Sequence, residues 1–121
     1  MTPSELKARS KEFALRVLKL TAVLPKTIEG RAIANQLVRS GTSVAANFRA
    51  ACRARSRGEF VAELGVALEE ADETQLWLEL VIAGKLVPAK RVQPLLEEAN
   101  ELVAILVASR KSASGNLKSQ I

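Results

Sequence analysis

Apolar residues recur at helical spacing in four stretches of this chain, and turn or capping residues bound each stretch. The first stretch begins at residues 2–5, Thr-Pro-Ser-Glu, which match a capping box with proline at the first helical position. A second capping box, Ser-Arg-Gly-Glu at residues 56–59, opens the third stretch. Four amphipathic helices joined by short turns predict an all-α, antiparallel up-down four-helix bundle in a single domain.

The turn residues also predict where the helices begin and end. Helix one covers about residues 3–23, before Pro25 and a turn that Gly30 completes. Helix two runs from about residue 31 to 54, and helix three ends near Gly84. Helix four either starts near residue 93 or is kinked at Pro94. Residues 1–111 are the predicted bundle, and residues 112–121, which lack periodicity, are the predicted flexible C-terminal tail.

The composition excludes several classes of function. The chain has no histidine, so it lacks the commonest general base, the commonest metal ligand and the base of most nucleophilic triads. We therefore expect no enzymatic activity, no metal and no cofactor. The single Cys52 cannot form an internal disulfide, and no apolar run is long enough to cross a membrane. These features, with no signal-peptide pattern, predict a cytoplasmic protein that does not bind membranes.

Charge is distributed unevenly along the chain. Residues 1–60 hold 12 basic and 4 acidic side chains, whereas residues 61–121 hold 6 basic and 9 acidic ones. Helical spacing places Asn35, Ala46 and most of the helix-two arginines opposite the apolar side. The candidate nucleic-acid-binding residues are this basic face and the end of the helix: Arg31, Arg39, Arg49, Arg53, Arg55 and Arg57. Guanidinium groups suit phosphates, but these arginines could equally be solvated or pair with acidic residues of helix three, in the same or a neighbouring subunit.

Helix three is apolar on two sides. Leu64, Ala67, Ala71 and Leu78 line one face, which is predicted to pack in the core. Other apolar residues form a second group on the opposite side, so something besides the bundle core must bury them. The predicted subunit interface consists of this second group: Val66, Leu76, Trp77 and Leu80. The alternative is that helix three is buried more deeply within its own bundle.

Two other features, an acidic cluster and a single cysteine, have a simpler explanation than a metal site or a reactive thiol. An acidic cluster in helix three lacks the histidines of bundle di-iron sites; it consists of Glu69, Glu70, Asp72 and Glu73, with Glu59 and Glu63 earlier in the helix. They are better interpreted as an acidic face that meets arginines. Cys52 lies beside arginines that could lower a thiol pKa, but we interpret it as a small packed apolar side chain.

Three segments resemble a family of four-helix bundles named after the protein encoded in the intervening sequence of bacterial large-subunit ribosomal RNA. Residues 20–29 contain Leu-Thr, Leu-Pro-Lys and Glu, which look like the family's first turn. Residues 36–47 are similar to the family's central signature and read Gln-Leu-Val-Arg-Ser-Gly-Thr-Ser-Val-Ala-Ala-Asn. Ser56 with Glu59-Phe60 is similar to the start of the family's third helix. The resemblance covers about residues 13–83. After Asn47 many members continue Ile-Ala-Glu-Gly, whereas this chain reads Phe-Arg-Ala-Ala-Cys-Arg-Ala-Arg.

The resemblance implies a small cytosolic bundle that assembles as a ring-like homopentamer, without enzymatic activity or cofactor. A related group of bundles serves as accessory proteins of diversity-generating reverse transcriptases and binds nucleic acid through a basic surface. We therefore expect a homo-oligomer that binds RNA or DNA backbone through helix two, as a scaffold or accessory factor. The alternative is a purely structural or protein-interaction module, in which the arginines form subunit contacts and the partner is another protein.

Overall fold

The structure, a computed structural model, describes residues 1–119 and places side chains through residue 115. This part of the chain forms four helices and contains no strand. The helices are α1 (Pro3–Val23), α2 (Ile28–Cys52), α3 (Arg57–Ala83) and α4 (Ala89–Ser119). The all-α, four-helix prediction is therefore confirmed. None of the described helices combines the length and the apolarity needed to cross a bilayer.

Side chains cap the first three helices, mostly as their sequences predict. The Thr2 hydroxyl accepts a hydrogen bond from the backbone N–H of Glu5, and the Glu5 carboxylate accepts one from the backbone N–H of Thr2, each at 3.1 Å. Ser56 accepts from the N–H of Glu59 at the start of α3. The bounds predicted for α1, and its capping box, are confirmed.

The second helix begins earlier than the sequence predicts. Thr27 is its N-cap, so Gly30 lies inside α2 instead of completing the preceding turn. A Cβ atom on Gly30 would collide with the backbone carbonyl of Pro25. The glycine is therefore required by the close approach of the turn to the first turn of α2.

Each helix packs against its neighbour in the chain, and α1 also packs against α4. The core between them contains the largest fully buried apolar side chains: Phe13, Val17, Leu37, Val44, Leu64, Leu78, Val81, Val92, Leu102 and Leu106. Gly41 of α2 lies directly against Val17 of α1, because a Cβ on Gly41 would be only 2.8 Å from Val17 Cγ1. This glycine sets the distance between α1 and α2.

One polar pair is buried between α2 and α3. Ser40 Oγ and Thr74 Oγ1 share a hydrogen bond of 2.9 Å, and neither residue is accessible to solvent. The Thr74 hydroxyl also lies 2.7 Å from the carbonyl of Glu70 in the preceding turn. The pair satisfies both hydroxyls inside the core and fixes the register of the two helices.

The fourth helix does not start near residue 93 but runs through Pro94, as the second sequence alternative has it, and it extends beyond the predicted end. It begins at Ala89 and continues through Pro94, which is exposed and lies only in its second turn. A proline there removes one hydrogen bond near the helix start, so the helix tolerates it. The helix also runs past residue 111 to Ser119, and Ala113 is buried. The predicted tail boundary therefore falls inside α4, and residues 120–121 of that tail lie outside the described residues.

Candidate functional site

The six arginines of the predicted basic face are all exposed, but they do not form one cluster. Arg31 lies in the first turn of α2, about 27 Å along the helix axis from Arg49 in the last turn. Arg53 is the C-cap of α2, and Arg55 and Arg57 follow in the connection and at the start of α3. The structure thus brings four arginines to one end of α2 and leaves Arg31 at the other.

Arg39, near the middle of α2, is engaged within the bundle. Its guanidinium lies 3.3 Å from a carboxylate oxygen of Glu70 and also forms an ion pair with Glu73, both on α3. Hydrogen bonding to Glu73 raises the pKa of Arg39 further above its usual range. The acidic face of α3 therefore meets an arginine of the same chain. Because Arg39 already pairs with two carboxylates, it is less available than the other arginines to bind a phosphate. Within residues 1–119, no three acidic or cysteine side chains converge in a way that would hold a metal ion.

Arg49 and Arg53 line a groove between α1 and α2. The other cations of this groove, Lys7 and Lys11, come from α1, and the groove encloses about 450 Å³. Small side chains form the rest of its lining: Ser4, Ala8, Ala45 and Ala46. No acidic side chain lines it, so four cations share a shallow, uncompensated depression. We call these four residues, Lys7, Lys11, Arg49 and Arg53, the basic groove.

The sequence prediction missed the two lysines of the basic groove. Lys7 and Lys11 are four residues apart, so they lie one above the other on one flank of α1. That spacing is visible in the sequence. Which neighbouring helix this flank meets depends on the packing of α1 against α2, and the close Gly41–Val17 contact determines that packing.

A second depression lies beyond the end of α2, where Arg57 and Phe60 of α3 approach Pro3 of α1. It encloses about 350 Å³, and Cys52 is part of its lining. The Cys52 thiol is half-buried and packs against the core. Packing is therefore the role that the structure shows for Cys52.

A smaller basic depression lies between α1 and α4. It encloses about 220 Å³, and its cations are Arg16, Lys19 and Arg91. Unlike the basic groove, it has apolar walls of Leu20, Val23 and Leu95. It therefore has one cation fewer than the basic groove and larger apolar side chains in its lining, and residues of α1 contribute to both.

Ion pairs between α1 and α4 were also missed by the sequence prediction. The guanidinium of Arg9 contacts Glu98 at 2.7 Å with two nitrogens, and one of these also contacts Glu101 at 2.7 Å. The hydrogen bond from Arg9 holds the pKa of Glu98 below its usual value. The charge of Arg9 is therefore neutralised within the bundle, although a count of charges along the sequence would treat it as a free basic side chain of α1.

The second apolar group on α3 is only partly exposed. Val66, Leu76 and Leu80 are exposed in the single chain, with 40%, 48% and 40% of their surface accessible. Trp77, by contrast, is half-buried and packs against the core, and its indole N–H donates to a Glu73 oxygen at 3.4 Å. Three of the four predicted interface residues thus face solvent in the single chain, whereas Trp77 mainly serves the bundle.

Sequence and structural comparisons place these features in a family. Residues 4–108 match the family described as 23S rRNA-intervening sequence protein. The chain belongs to this family. No curated protein matches it. It is also similar to a crystal structure of a protein of unknown function from the S23 ribosomal protein family, from Bacteroides thetaiotaomicron VPI-5482. The two are 34% identical, with a TM-score of 0.84 over 92% of this chain and 99% of the other.

Proposed function

We propose that this member of the 23S rRNA-intervening sequence protein family is a non-enzymatic, homo-oligomeric scaffold or accessory factor. It binds the backbone of RNA or DNA without reading sequence, and it acts in the cytoplasm. The observation that carries the proposal is the basic groove, which four exposed cations and no acidic side chain line. Arg55 and Arg57 extend the same charge past the end of α2.

The chemistry of the groove favours phosphate as its ligand. Guanidinium groups donate planar pairs of hydrogen bonds to phosphate oxygens, and lysines add mobile point charges. Phosphates bound in this way release condensed counterions, which supplies a large, sequence-independent free energy. The alanines of the groove provide no donors or acceptors for base edges, so they support backbone contact and not base readout.

The proposed bundle has helices that alternate in direction. Cross-helix pairs support this topology, because Gln75 of α3 bonds Asn100 of α4, while Arg110 further along α4 reaches the carbonyl of Val61 earlier in α3. Self-association is supported by the exposed Val66, Leu76 and Leu80 on α3. A ring of five subunits is the assembly that the family resemblance implies. Light scattering at micromolar concentration tests it: a pentamer mass is expected, and a monomer contradicts the oligomer.

A binding titration with a charge-reversed variant tests the proposed function. We expect labelled RNA and DNA to bind the purified protein with an affinity that falls steeply as salt rises. The variant Arg49→Glu/Arg53→Glu should lose binding while keeping its assembly state. The control variant Lys26→Glu/Lys90→Glu has the same charge change at two exposed lysines outside the basic groove, and it should retain most of the affinity.

The competing proposal is a structural or protein-interaction module. The observation that favours it is the engagement of Arg39 by Glu70 and Glu73, since it shows that arginines of α2 can serve the architecture. If the wild-type protein binds no nucleic acid near physiological salt, phosphate binding is refuted and this module is the better description. Equal loss of affinity in both charge-reversed variants would also contradict a localised site.

A further inference from the structure

We infer that the ligand of the basic groove is a double-stranded nucleic acid, held by α1 and α2 together through about four phosphates. This inference rests on the proposed function and makes it more specific. It requires that Lys7 and Lys11 of α1 contact phosphate as well as the two arginines, and it chooses between duplex and single strand. Two features of the described residues carry it: the basic groove has no aromatic ring in its lining, and its four cations come from two helices.

No aromatic ring lines the basic groove, where it could stack an unpaired base. The chain has four aromatic residues, and all lie within the described part. Phe13 and Phe48 are buried in the core, while Phe60 and Trp77 are half-buried and pack against it. Proteins that hold single strands gain affinity from bases stacked on exposed aromatic side chains. A single strand would therefore gain only its backbone contacts here.

The four cations come in two pairs, one from each of the helices that line the groove. Lys7 and Lys11 are one helical turn apart on α1, and Arg49 and Arg53 are one turn apart at the end of α2. The two residues of each pair are about 6 Å apart along the helix axis. The other lining side chains are small, so a phosphodiester backbone has room to approach both pairs. A duplex presents one charge per about 1.7 Å of its axis, so it offers this compact set more phosphates than a flexible single strand.

The number of cations predicts the salt dependence. If each of the four neutralises one phosphate of a DNA duplex, the slope of log Kobs against log salt is about −3.6, and about −2.8 for a single strand with the same contacts. Removing two cations should halve the duplex slope to about −1.8. At 0.1 M salt this change corresponds to about a 60-fold loss of affinity.

The test compares two double variants that each remove two exposed lysines. Lys7→Ala/Lys11→Ala removes the α1 side of the basic groove, whereas Lys19→Ala/Lys26→Ala removes two exposed lysines elsewhere. Anisotropy titrations use a labelled 20-base-pair DNA duplex, the matching RNA duplex and the component single strands across a salt series. Circular dichroism and light scattering check that each variant folds and assembles like the wild type.

We expect the duplexes to bind more tightly than their single strands, and Lys7→Ala/Lys11→Ala to halve the duplex slope while the control keeps it. Binding that is lost with Arg49→Glu/Arg53→Glu but unchanged in Lys7→Ala/Lys11→Ala refutes the participation of α1 and leaves the proposed function intact. Single strands that bind as tightly as duplexes refute the choice of duplex. Absence of all binding by the wild type overturns the proposed function itself.

Discussion

Replacement of Gly41 by alanine tests the packing that creates the basic groove. The added Cβ would lie 2.8 and 2.9 Å from the two γ-carbons of Val17 and 3.1 Å from its Cβ, well inside the usual carbon–carbon contact of about 3.5–4.0 Å. Val17 is fully buried, and its β-branched side chain has little freedom to rotate away. Helix α1 must therefore move outward from α2.

The expected change in stability is the difference of two terms. Overpacking of a core typically costs about 1–3 kcal/mol. Alanine in place of glycine in a helix returns up to about 1 kcal/mol. Because the contact at Gly41 involves three atoms of a rigid side chain, we expect Gly41→Ala to lower the free energy of unfolding by about 1–2 kcal/mol.

Urea denaturation at a fixed subunit concentration measures this change, since oligomer stability depends on concentration. Gly58→Ala is the matched control, because a Cβ at Gly58 would meet only Ser56 Oγ, at 4.0 Å, and should leave stability unchanged or slightly higher. Val17→Ala opens space for the new methyl, so the double variant with Gly41→Ala should be more stable than the sum of the single effects predicts. A Gly41→Ala protein as stable as wild type would refute the close α1–α2 contact.

Two further predictions concern a helix end and an ion pair. Lys85 follows α3 with a positive φ of 54°, so Lys85→Gly should stabilise the protein by about 1 kcal/mol, as measured by the urea midpoint. Arg9 lowers the pKa of Glu98, so this carboxylate stabilises the fold above its unfolded pKa and loses that effect as pH falls through the folded pKa. Arg9→Gln should therefore have a lower Tm than the wild type near pH 7. This difference in Tm should shrink below about pH 4.5. The control Arg31→Gln, at an exposed arginine, should show no such pH dependence. A difference that persists unchanged at pH 3 would contradict the ion-pair explanation.

The sequence predicts the helices well because their signals are local. The Thr2–Glu5 capping box and the Ser56 cap depend on residues three positions apart, and both appear as hydrogen bonds. The start of α2 was missed although Thr27 caps Gly30 at the same spacing, because glycine after a proline is also typical of a turn and Gly30 was assigned to one. The C-terminal end of α4 was missed because the small and polar residues after residue 111 show no helical pattern of apolar residues. Ala113 is nevertheless buried, which the pattern does not predict.

The candidate site was predicted only in part, because it combines two helices. Helical spacing identifies the exposed side of α2, and Arg49 and Arg53 are indeed exposed there. Spacing cannot show that Arg39, on the same side, reaches two carboxylates of α3. It also cannot show that Lys7 and Lys11 complete the groove, since this depends on which flank of α1 meets α2.

Alanine-methyl NMR on the assembled protein tests the central claim most directly. Ala8, Ala45 and Ala46 line the basic groove, so their methyl groups report on a ligand that enters it. On addition of a short duplex, we expect their resonances to shift, while those of the exposed Ala83 on α3 and Ala104 on α4 stay in place. Shifts at Ala83 or Ala104 with none at the three groove alanines would contradict phosphate binding between α1 and α2.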